Sequence, residues 1–216
     1  GQSSVLTIGN FDGVHLGHQA LLRLLRDKAR ACALPAVVLT FEPHPREFFA
    51  PAEAPARLAS LREKLLLLEA AGVDRVHVCR FDRRLAGLSA DDFIEKLLVR
   101  GLGVRHLIIG DDFRFGCRRQ GDFALLQSAG ESSGFRVEAM PTLEVADERV
   151  SSSALRAALA DGDMEHAARL LGRPYSIAGR VMHGDKIGRS IGFPTANIQL
   201  KHRRPALCGI YAVSVE

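Results

Sequence analysis

The sequence predicts an α/β protein with a parallel sheet, followed by a second segment that is rich in strands. Short runs of β-branched and aliphatic residues alternate with amphipathic helical stretches through residues 1–150. Strands that alternate with helices need crossover connections, and these produce a parallel sheet covered on both faces. After Arg173 the long helical patterns give way to glycine-rich strands, which indicates that a different module begins there.

The individual elements follow from local patterns. The predicted strands are SVLTI at 4–8, AVVLTF at 36–41, VDRVHVCRF at 73–81, VRHLIIG at 104–110 and FRVEAMP at 135–141. The predicted helices cover 17–32, 57–71, 90–100 and 121–130, and two shorter helices follow Ser151 with a break at Asp161–Gly162. Ser89 and Gly72 are residue types typical of a helix N-cap and C-cap. We therefore expect three parts: a sheet domain over 1–150, a helical connector over 151–172, and a strand-rich module over 173–216.

Composition sets limits on the class of protein. The 216 residues are 47% hydrophobic with a net charge of +4, which fits a globular chain that binds anions. Trp is absent and Tyr occurs twice, so no nucleic-acid partner is expected. The four cysteines form no C-x-x-C pair; we expect a reducing cytoplasm, with Cys32 and Cys79 in the core. No signal peptide and no membrane association are expected, and an oligomer is left open.

The stretch GNFDGVHLGH at 9–18 lies where the first predicted strand meets the first helix. Gly9 and Gly13 allow a sharp turn that brings the backbone close to a ligand. His15 and His18 are three residues apart, so they face the same way at a helix start, where free N–H groups favour an anion. Two such donors suit the oxygens of a triphosphate. The alternative is that one imidazole belongs to the core and the glycines only shape the turn.

Two further loops leave predicted strands at the edge where ligands bind in such sheets. In EPHP at 42–45, two prolines stiffen the backbone, as in a rigid exposed loop or in a ligand-binding loop. In GDDFRFG at 110–116, Phe113 and Phe115 alternate with polar residues. They form either an apolar wall for a planar ring, with Asp112 beside it, or part of the core. The residues alone leave both alternatives open.

VSSSALR at 150–156 places Ser152 and Ser153 at a helix start, with Arg156 one turn inside. Serines at a helix start commonly cap it, and the same geometry binds phosphate. An arginine one turn further on offers a forked donor to phosphate oxygens. Capping and phosphate binding are both compatible with this segment.

Glycines recur in GDKIGRSIGFPTANI at 184–198. Gly184, Gly188 and Gly192 allow a backbone loop to come close to phosphate. Thr195 and Asn197 offer a hydroxyl and an amide oxygen on one side of an extended segment, and such oxygens suit Mg²⁺. From the residues alone, this stretch is typical of a glycine-rich hairpin.

Together these motifs resemble one family. GNFDGVHLGH resembles the H-x-G-H turn of the nucleotidylyltransferase superfamily. TFEPHPREFF at 40–49, GDDFRFGCRRQG at 110–121 and VSSSALR resemble the flavin loops and phosphate motif of the bacterial bifunctional riboflavin kinase/FMN adenylyltransferases. GRVMHGDKIGRSIGFPTANI at 179–198 is similar to the start of their riboflavin kinase module. The resemblance covers nearly the whole chain in the right order.

The resemblance implies a Rossmann-like nucleotidyltransferase domain followed by the start of a small β-barrel kinase domain. It implies catalytic roles for His15 and His18, and an ATP site at Gly9, Phe11, Gly13, Ser152, Ser153 and Arg156. The flavin-binding residues that it implies are Glu42, Pro43, His44, Pro45, Asp112, Phe113 and Phe115. In the kinase module it implies a phosphate loop at Gly184, Lys186, Gly188 and Gly192, and Mg²⁺ ligands at Thr195 and Asn197.

The implied reactions are adenylylation of FMN by ATP, giving FAD and pyrophosphate, and ATP-dependent phosphorylation of riboflavin to FMN. The partners are then small molecules, with Mg²⁺ assisting. A phosphate nucleophile is already ionised and needs no general base, whereas a hydroxyl does. The family's kinase base is a Glu downstream of the P-T-A-N segment, a role we do not assign to Glu216. We therefore expect this chain alone to adenylylate FMN and to lack kinase activity.

Two other functions compete with this one. A cytidylyl- or pantetheine-type transferase would share the H-x-G-H turn, but it has no reason to carry GFPTAN. A non-catalytic flavin or nucleotide sensor would need the phosphate donors alone, and the paired imidazoles exceed that need.

Overall fold

A parallel sheet of five strands, counted over the residues that the structure describes, forms the centre of the protein. The structure is a computed structural model, and it describes residues 3–182, 192, 195–200 and 204–215. The strands are β1 Ser4–Ile8, β2 Ala36–Glu42, β3 Arg75–Arg80, β4 Val104–Gly110 and β5 Arg136–Met140. Their order is β3-β2-β1-β4-β5, and every neighbouring pair is parallel. The predicted α/β class and the five predicted strands are confirmed.

The strand order reverses at β1. This strand pairs with β2 on one side and with β4 on the other, so the chain first builds towards one edge of the sheet and then towards the opposite edge. In open parallel sheets, ligands bind beyond the carboxyl ends of the strands at such a reversal. The segments that follow Ile8 and Gly110 leave neighbouring strands at this point.

Helices connect the strands. Their bounds are α1 Leu16–Cys32, α2 Pro45–Phe49, α3 Leu61–Ala70, α4 Arg83–Ala86, α5 Ala90–Asp92, α6 Phe123–Ser133, α7 Ser152–Ala160 and α8 Met164–Leu171. α5 continues directly into π-helical turns over Phe93–Gly101, and Cys117–Arg119 forms a 3₁₀ turn.

Two helix starts show how the sequence sets the boundaries. Ser89 caps α5, as predicted. The helix predicted from residue 57 begins later, at Leu61, because Ser60 and Glu63 form a capping box. The Ser60 hydroxyl accepts the N–H of Glu63, and the Glu63 carboxylate accepts the N–H of Ser60.

The central strands of the sheet are buried on both faces. Alternate residues of a strand point to opposite faces, so Leu6 and Val5 belong to different apolar clusters. The Leu6 cluster packs under α6 and the π-helical turns, and the Val5 cluster packs under α1 and α3. All of β1 is therefore buried, as expected for a strand covered on both sides.

α7 and α8 pack over the start of α1, with the predicted break between them at 161–162. The side-chain amide of Gln19 donates to the carbonyl of Leu171 at 2.8 Å. The guanidinium of Arg173, just beyond α8, donates to the carbonyl of Gly13 at 2.8 Å. The connector thus supports the first turn, while the divisions at 150/151 and 172/173 stay predictions.

Short strands follow the sheet. β6 Glu144–Val145 pairs antiparallel with β7 Glu148–Arg149, and β8 Arg180–Met182 pairs antiparallel with β9 Asn197–Gln199. Strands after Arg173 are thereby confirmed over the residues described there.

Two global predictions can be compared with the structure. None of the helices described is both long enough and apolar enough to cross a bilayer. Cys79 is half-buried and packs against the core, but Cys32 is exposed at the end of α1. The prediction that both cysteines lie in the core is therefore wrong for Cys32, because the final residue of the helix is left open to solvent.

Candidate active site

The turn between β1 and α1 has an unusual backbone. Phe11, Gly13 and Val14 have φ values of 49°, 80° and 42°. Positive φ is unfavourable for residues that carry a side chain and persists only where the surroundings hold it. A Cβ atom at Gly13 would lie 3.0 Å from Cβ of Leu58 and 3.3 Å from Cδ2 of Leu155. The turn is therefore clamped by residues that pack on the carboxyl end of β1.

The Phe11 ring belongs to the core. It is 0% exposed, and its centroid lies 5.0 Å from that of His18. A Cβ atom at Gly9 would lie 3.0 Å from this ring, so Gly9 leaves the space that the ring fills. The ring therefore packs against His18, and a place for Phe11 in an ATP site stays a prediction.

His15 and His18 stack on each other at the start of α1. Their ring centroids are 3.7 Å apart, with 18° between the ring planes. His15 is the N-cap, and its Nδ1 accepts the backbone N–H of His18 at 3.3 Å. A Cβ atom at Gly17 would lie 3.2 Å from two atoms of the His15 ring. A glycine at this position therefore lets the imidazole fold over the helix start.

Both imidazoles are neutral. Burial lowers the pKa of His15 to about 4, against the attraction of Asp12, and the charge of Arg156 lowers it further. Burial also lowers the pKa of His18 well below its usual value, and His15 and Lys64 add to the effect. Because Nδ1 of His15 accepts a hydrogen bond, its Nε2 carries the proton and is a donor. Nδ1 of His18 is buried and has no partner among the described residues.

Asp12 is the centre of the hydrogen-bond network that fixes this turn. Its carboxylate, 5% exposed, accepts the backbone N–H of Leu58 at 3.1 Å and pairs with the guanidinium of Arg156. Arg156 also donates to the carbonyls of Ala56 at 2.6 Å and Ser152 at 3.2 Å. The guanidinium expected to grip ATP phosphates is thus hydrogen-bonded within the protein through all three nitrogens, and it braces the turn.

The three serines before Arg156 have different roles. Ser151, one residue earlier than the predicted pair, caps α7 by accepting the N–H of Ala154 at 3.1 Å. The hydroxyl of Ser152 donates to the carbonyl of Asp12 at 3.1 Å, so it lies against the first turn. Ser153 is exposed.

The 42–45 loop leads from β2 into α2. His44 is the N-cap of α2, and its Nδ1 accepts the N–H of Arg46 at 3.1 Å. Pro45 occupies the first helical position, where a missing N–H is tolerated. Pro43 precedes His44, so a proline flanks the imidazole on each side. Burial lowers the pKa of His44, which is a third neutral imidazole at this edge of the sheet.

Two carboxylates of this loop converge on one arginine. Glu42 accepts from Arg57 at 2.6 and 3.0 Å, and Glu47 accepts from its Nε at 2.6 Å. The hydrogen bond from Arg57 lowers the pKa of Glu47 below its usual value. The 42–45 loop and α2 are therefore fixed by an ion cluster that the side chain of Glu42, predicted to contact flavin, helps to form.

A small polar cavity connects the two loops. It is lined by Asp12, His44, Pro55, Arg57, Lys64 and Arg156. The structure thus brings a predicted ATP-site residue, Arg156, and a predicted flavin-site residue, His44, to one cavity.

The 110–116 loop divides its phenylalanines between core and surface. Phe115 is 5% exposed, and its ring centroid lies 5.2 Å from that of Phe93. Phe113 is half-buried and stacks on Phe115 at 5.7 Å. Asp112 is exposed and pairs with Arg149 at 2.6 Å. Phe115 thus fills the core, as the second alternative has it, whereas Phe113 keeps an accessible surface; flavin binding by this loop stays a prediction.

Part of the predicted kinase site is described. Three residues of its phosphate loop lie outside the described residues: Gly184, Lys186 and Gly188. Gly192 has φ of 84° and is exposed. Thr195 and Asn197 are exposed, so their oxygens are accessible, which fits the donor set of a Mg²⁺ ligand pair. Over the described residues, no group of three or more His, Cys, Asp or Glu is arranged to hold a metal ion.

Comparison with known proteins identifies the family. Residues 1–154 match the sequence model described as FAD synthetase, and residues 171–216 match the one described as riboflavin kinase. The chain belongs to the FAD synthetase family. The resemblance drawn from the motifs is thereby confirmed.

Relatives in the FAD synthetase family extend further than this chain. The chain is 56% identical over 212 residues to a Pseudomonas fluorescens protein named bifunctional riboflavin kinase/FMN adenylyltransferase, covering 98% of this chain and 68% of the relative. An Escherichia coli K12 protein of the same name is 53% identical over 214 residues, covering 99% and 68%. A crystal structure titled as a macrolide-efflux protein from Streptococcus pneumoniae is similar, with a TM-score of 0.76 and 31% identity. That match covers 94% of this chain and 66% of the other.

Two residues that line the small cavity of this FAD synthetase family member escaped the motif analysis. Asp12 lies inside GNFDGVHLGH. A carboxylate in a turn that is expected to bind anions needs a cationic partner, and this is the signal that could have identified it. Lys64 lies in the leucine-rich helix α3 and is buried together with Leu68, four residues on. A lysine on the apolar face of an amphipathic helix is the signal that could have identified it.

Proposed function

We propose that this chain transfers the adenylyl group of ATP to FMN, giving FAD and pyrophosphate. The stacked pair of neutral imidazoles carries the proposal. It stands at the start of α1, at the carboxyl end of the central strand, in a chain of the FAD synthetase family.

The reaction is an in-line displacement at phosphorus. An oxygen of the FMN phosphate forms a bond to the α-phosphorus of ATP, and the bond from that phosphorus to the bridging oxygen of pyrophosphate breaks. A phosphate monoester is largely dianionic at neutral pH, so no residue has to remove a proton. The protein therefore has to align the two phosphates and to stabilise the charge that moves on to the leaving group.

The imidazoles supply hydrogen-bond donors at this point. Nε2–H of His15 and the ring of His18 would contact the α-phosphoryl group and the leaving pyrophosphate, where negative charge increases in the transition state. Gly9 and Gly13 shape the turn, the hydroxyl of Ser152 lies beside it, and Arg156 holds it through Asp12. Ser153, exposed at the start of α7, would offer a second hydroxyl.

The flavin would lie beyond β2 and β4. The proposed contacts come from the 42–45 loop, including His44, and from the accessible part of Phe113 and Asp112. Phe115 would support Phe113 from the core.

Magnesium is proposed to enter as the complex with ATP, and when bound it neutralises phosphate charge. In the kinase module we propose that Thr195 and Asn197 provide its protein oxygens. The small-molecule partners are then ATP, FMN and riboflavin, and a cytoplasmic location is proposed.

Chromatography of the products tests the adenylyl transfer directly. The protein mixed with FMN, ATP and MgCl₂ should convert FMN to FAD and release pyrophosphate. His18→Ala should lower turnover by about 100-fold, the size typical of losing one transition-state donor, while FMN affinity changes little. The matched control is His77→Ala, at an exposed position on β3. Absence of FAD with the unaltered protein would refute the proposal.

The match of residues 171–216 to the riboflavin kinase model favours a second activity, phosphorylation of riboflavin by ATP. ADP and FMN formed from riboflavin and ATP measure it. A chain that converts FMN to FAD but makes no FMN from riboflavin carries the adenylyl transfer alone.

A further inference from the structure

We propose that the ammonium group of Lys64 contacts a substrate phosphate that binds between the first turn and the 42–45 loop. The inference rests on the proposed adenylyl transfer and assigns a binding residue that none of the sequence motifs contains.

The first observation is the burial of Lys64. Its residue surface is 4% exposed, although lysine is almost never buried without a charged partner. The side chain leaves α3 and lines the small polar cavity, together with Asp12, His44 and Arg156. The ammonium therefore lies where the predicted ATP and flavin sides of the site meet.

The second observation is that the surrounding carboxylates are already occupied. Glu42 and Glu47 both bond to Arg57, and Asp12 bonds to Arg156 and to backbone N–H groups. Among the residues that the structure describes, the Lys64 ammonium forms no hydrogen bond and no ion pair. An ammonium has three N–H donors, so this one is available to an acceptor that a ligand brings.

The electrostatics agree with a position between the loops. The charge of Lys64 contributes to the low pKa of both His18 and His44, so it acts on the H-x-G-H turn and on the 42–45 loop. Burial lowers the pKa of Lys64 itself, whereas Asp12 and Glu42 oppose that shift. The negative charge of a bound phosphate would also oppose that shift, and its oxygens would accept hydrogen bonds from the ammonium.

The chemistry of the reaction gives such a cation a purpose. Two phosphate groups of like charge must approach each other for the FMN phosphate to reach the α-phosphorus of ATP. Lysine binds phosphate as a compact point charge, and a fixed cation between the groups reduces their repulsion before and during the transfer.

The competing explanation is structural. Lys64 would then only balance the three carboxylates around the cavity. The two explanations differ in what happens when the charge is removed. An unpaired buried cation can be replaced by an apolar side chain of similar length with little loss of stability, whereas a cation that stabilises the fold cannot.

The test is Lys64→Met. The control is Lys96→Met, which replaces a lysine whose side chain is 61% exposed. Thermal unfolding, FAD formation, and the affinities for FMN, riboflavin and ATP are measured for the unaltered protein and both variants. We expect Lys64→Met to unfold at the same temperature or higher, and to lose about 100-fold in kcat/KM for FAD formation. Lys96→Met should leave kcat/KM unchanged.

The binding arms identify which phosphate Lys64 contacts. Loss of the preference for FMN over riboflavin, which lacks the phosphate, assigns it to FMN; loss of ATP affinity assigns it to ATP. Lys64→Ala should regain part of its activity when methylammonium is added.

A folded Lys64→Met protein with FAD formation and phosphate affinity within threefold of normal overturns the inference. So does a loss of activity that only follows a fall in unfolding temperature and that no amine restores. Failure of the unaltered protein to make FAD refutes the proposed function instead, and the binding arms still decide the role of Lys64.

Discussion

The guanidinium of Arg156 and the carboxylate of Asp12 pair across 144 residues of sequence. This one contact joins α7 to the turn after β1, and the backbone N–H of Leu58 brings in the segment before α3. The pair is almost withdrawn from solvent, with 18% and 7% of the two side chains exposed. It therefore explains how a turn with several positive φ values is held in one conformation.

Asp12→Ala should destabilise the protein strongly, because it leaves a buried guanidinium and two backbone donors without their acceptor. Breaking a buried ion pair costs about 3–5 kcal/mol, which corresponds to a fall of roughly 10 °C in Tm for a chain of this size. Arg100→Ala, which removes an exposed pair with Glu95, is the control and should cost under about 1 kcal/mol. Equal unfolding temperatures for the two variants would show that Asp12 does not brace the turn.

Gly17→Ala tests the stacking of the imidazoles. The added Cβ would lie 3.2 Å from two atoms of the His15 ring, so the ring must shift from its stacked position beside His18. Alanine favours the helix, so stability should change by less than about 1 kcal/mol, while FAD formation falls by about 10-fold or more. The control is Gly134→Ala, where φ is +75° and the Cβ meets no atom within 4 Å. Gly134→Ala should lose stability and keep its activity per folded molecule. If Gly17→Ala also kept its activity per folded molecule, the stacking of the imidazoles would not matter for catalysis.

The sheet and its order of elements follow from the sequence because apolar periodicity and turn residues act locally. The positions of His15, His18 and Ser152 at helix starts could be predicted for the same reason. The contacts of other side chains could not be predicted in this way. Whether Phe115 faces a ligand or the core depends on Phe93, which packs on it from another element. Arg156 is similar, since its bond to Asp12 joins residues that no local pattern relates. What the sequence leaves open is therefore set by tertiary contacts.

The neutral imidazoles make stability depend on pH. His15 has a pKa of about 4 in the folded chain, below its ordinary value of 6.5. Between these values the unfolded chain takes up a proton that the folded chain does not, so stability is full above pH 6.5 and falls as the pH drops towards 4. His15→Asn keeps a good helix cap and removes the group that titrates. Between pH 7 and 4.5, the free energy of unfolding should therefore fall by about 2 kcal/mol less in this variant than in the unaltered protein. Urea unfolding at the two pH values measures this, with the exposed His77→Asn as the control; parallel curves for His15→Asn and the unaltered protein would contradict it.

Arg57→Met should affect FMN binding more than turnover. Arg57 is the partner of both Glu42 and Glu47, whose side chains are 28% and 24% exposed, and together they fix the 42–45 loop. Without it, two neighbouring carboxylates repel each other, so the loop should loosen and KM for FMN should rise by about 10-fold, with a smaller change in kcat. Arg46→Met, at an exposed position of α2 next to Glu47, is the control and should leave KM for FMN unchanged.

The pH dependence of this variant identifies repulsion as the cause. In the unaltered protein Arg57 lowers the pKa of Glu47, so that its stabilising contribution is present above the ordinary value near 4.5 and is lost as the pH falls through the lower folded value. In Arg57→Met the same carboxylate loses this partner, and protonation then relieves the repulsion. The difference in stability between the variant and the unaltered protein should therefore narrow as the pH falls towards 4.5, and adding Glu47→Gln to the variant should restore part of the FMN affinity at neutral pH. A difference that stays constant with pH, and a double variant no better than Arg57→Met, would instead show that the arginine acts through packing alone, because neither protonation nor a neutral amide replaces lost packing.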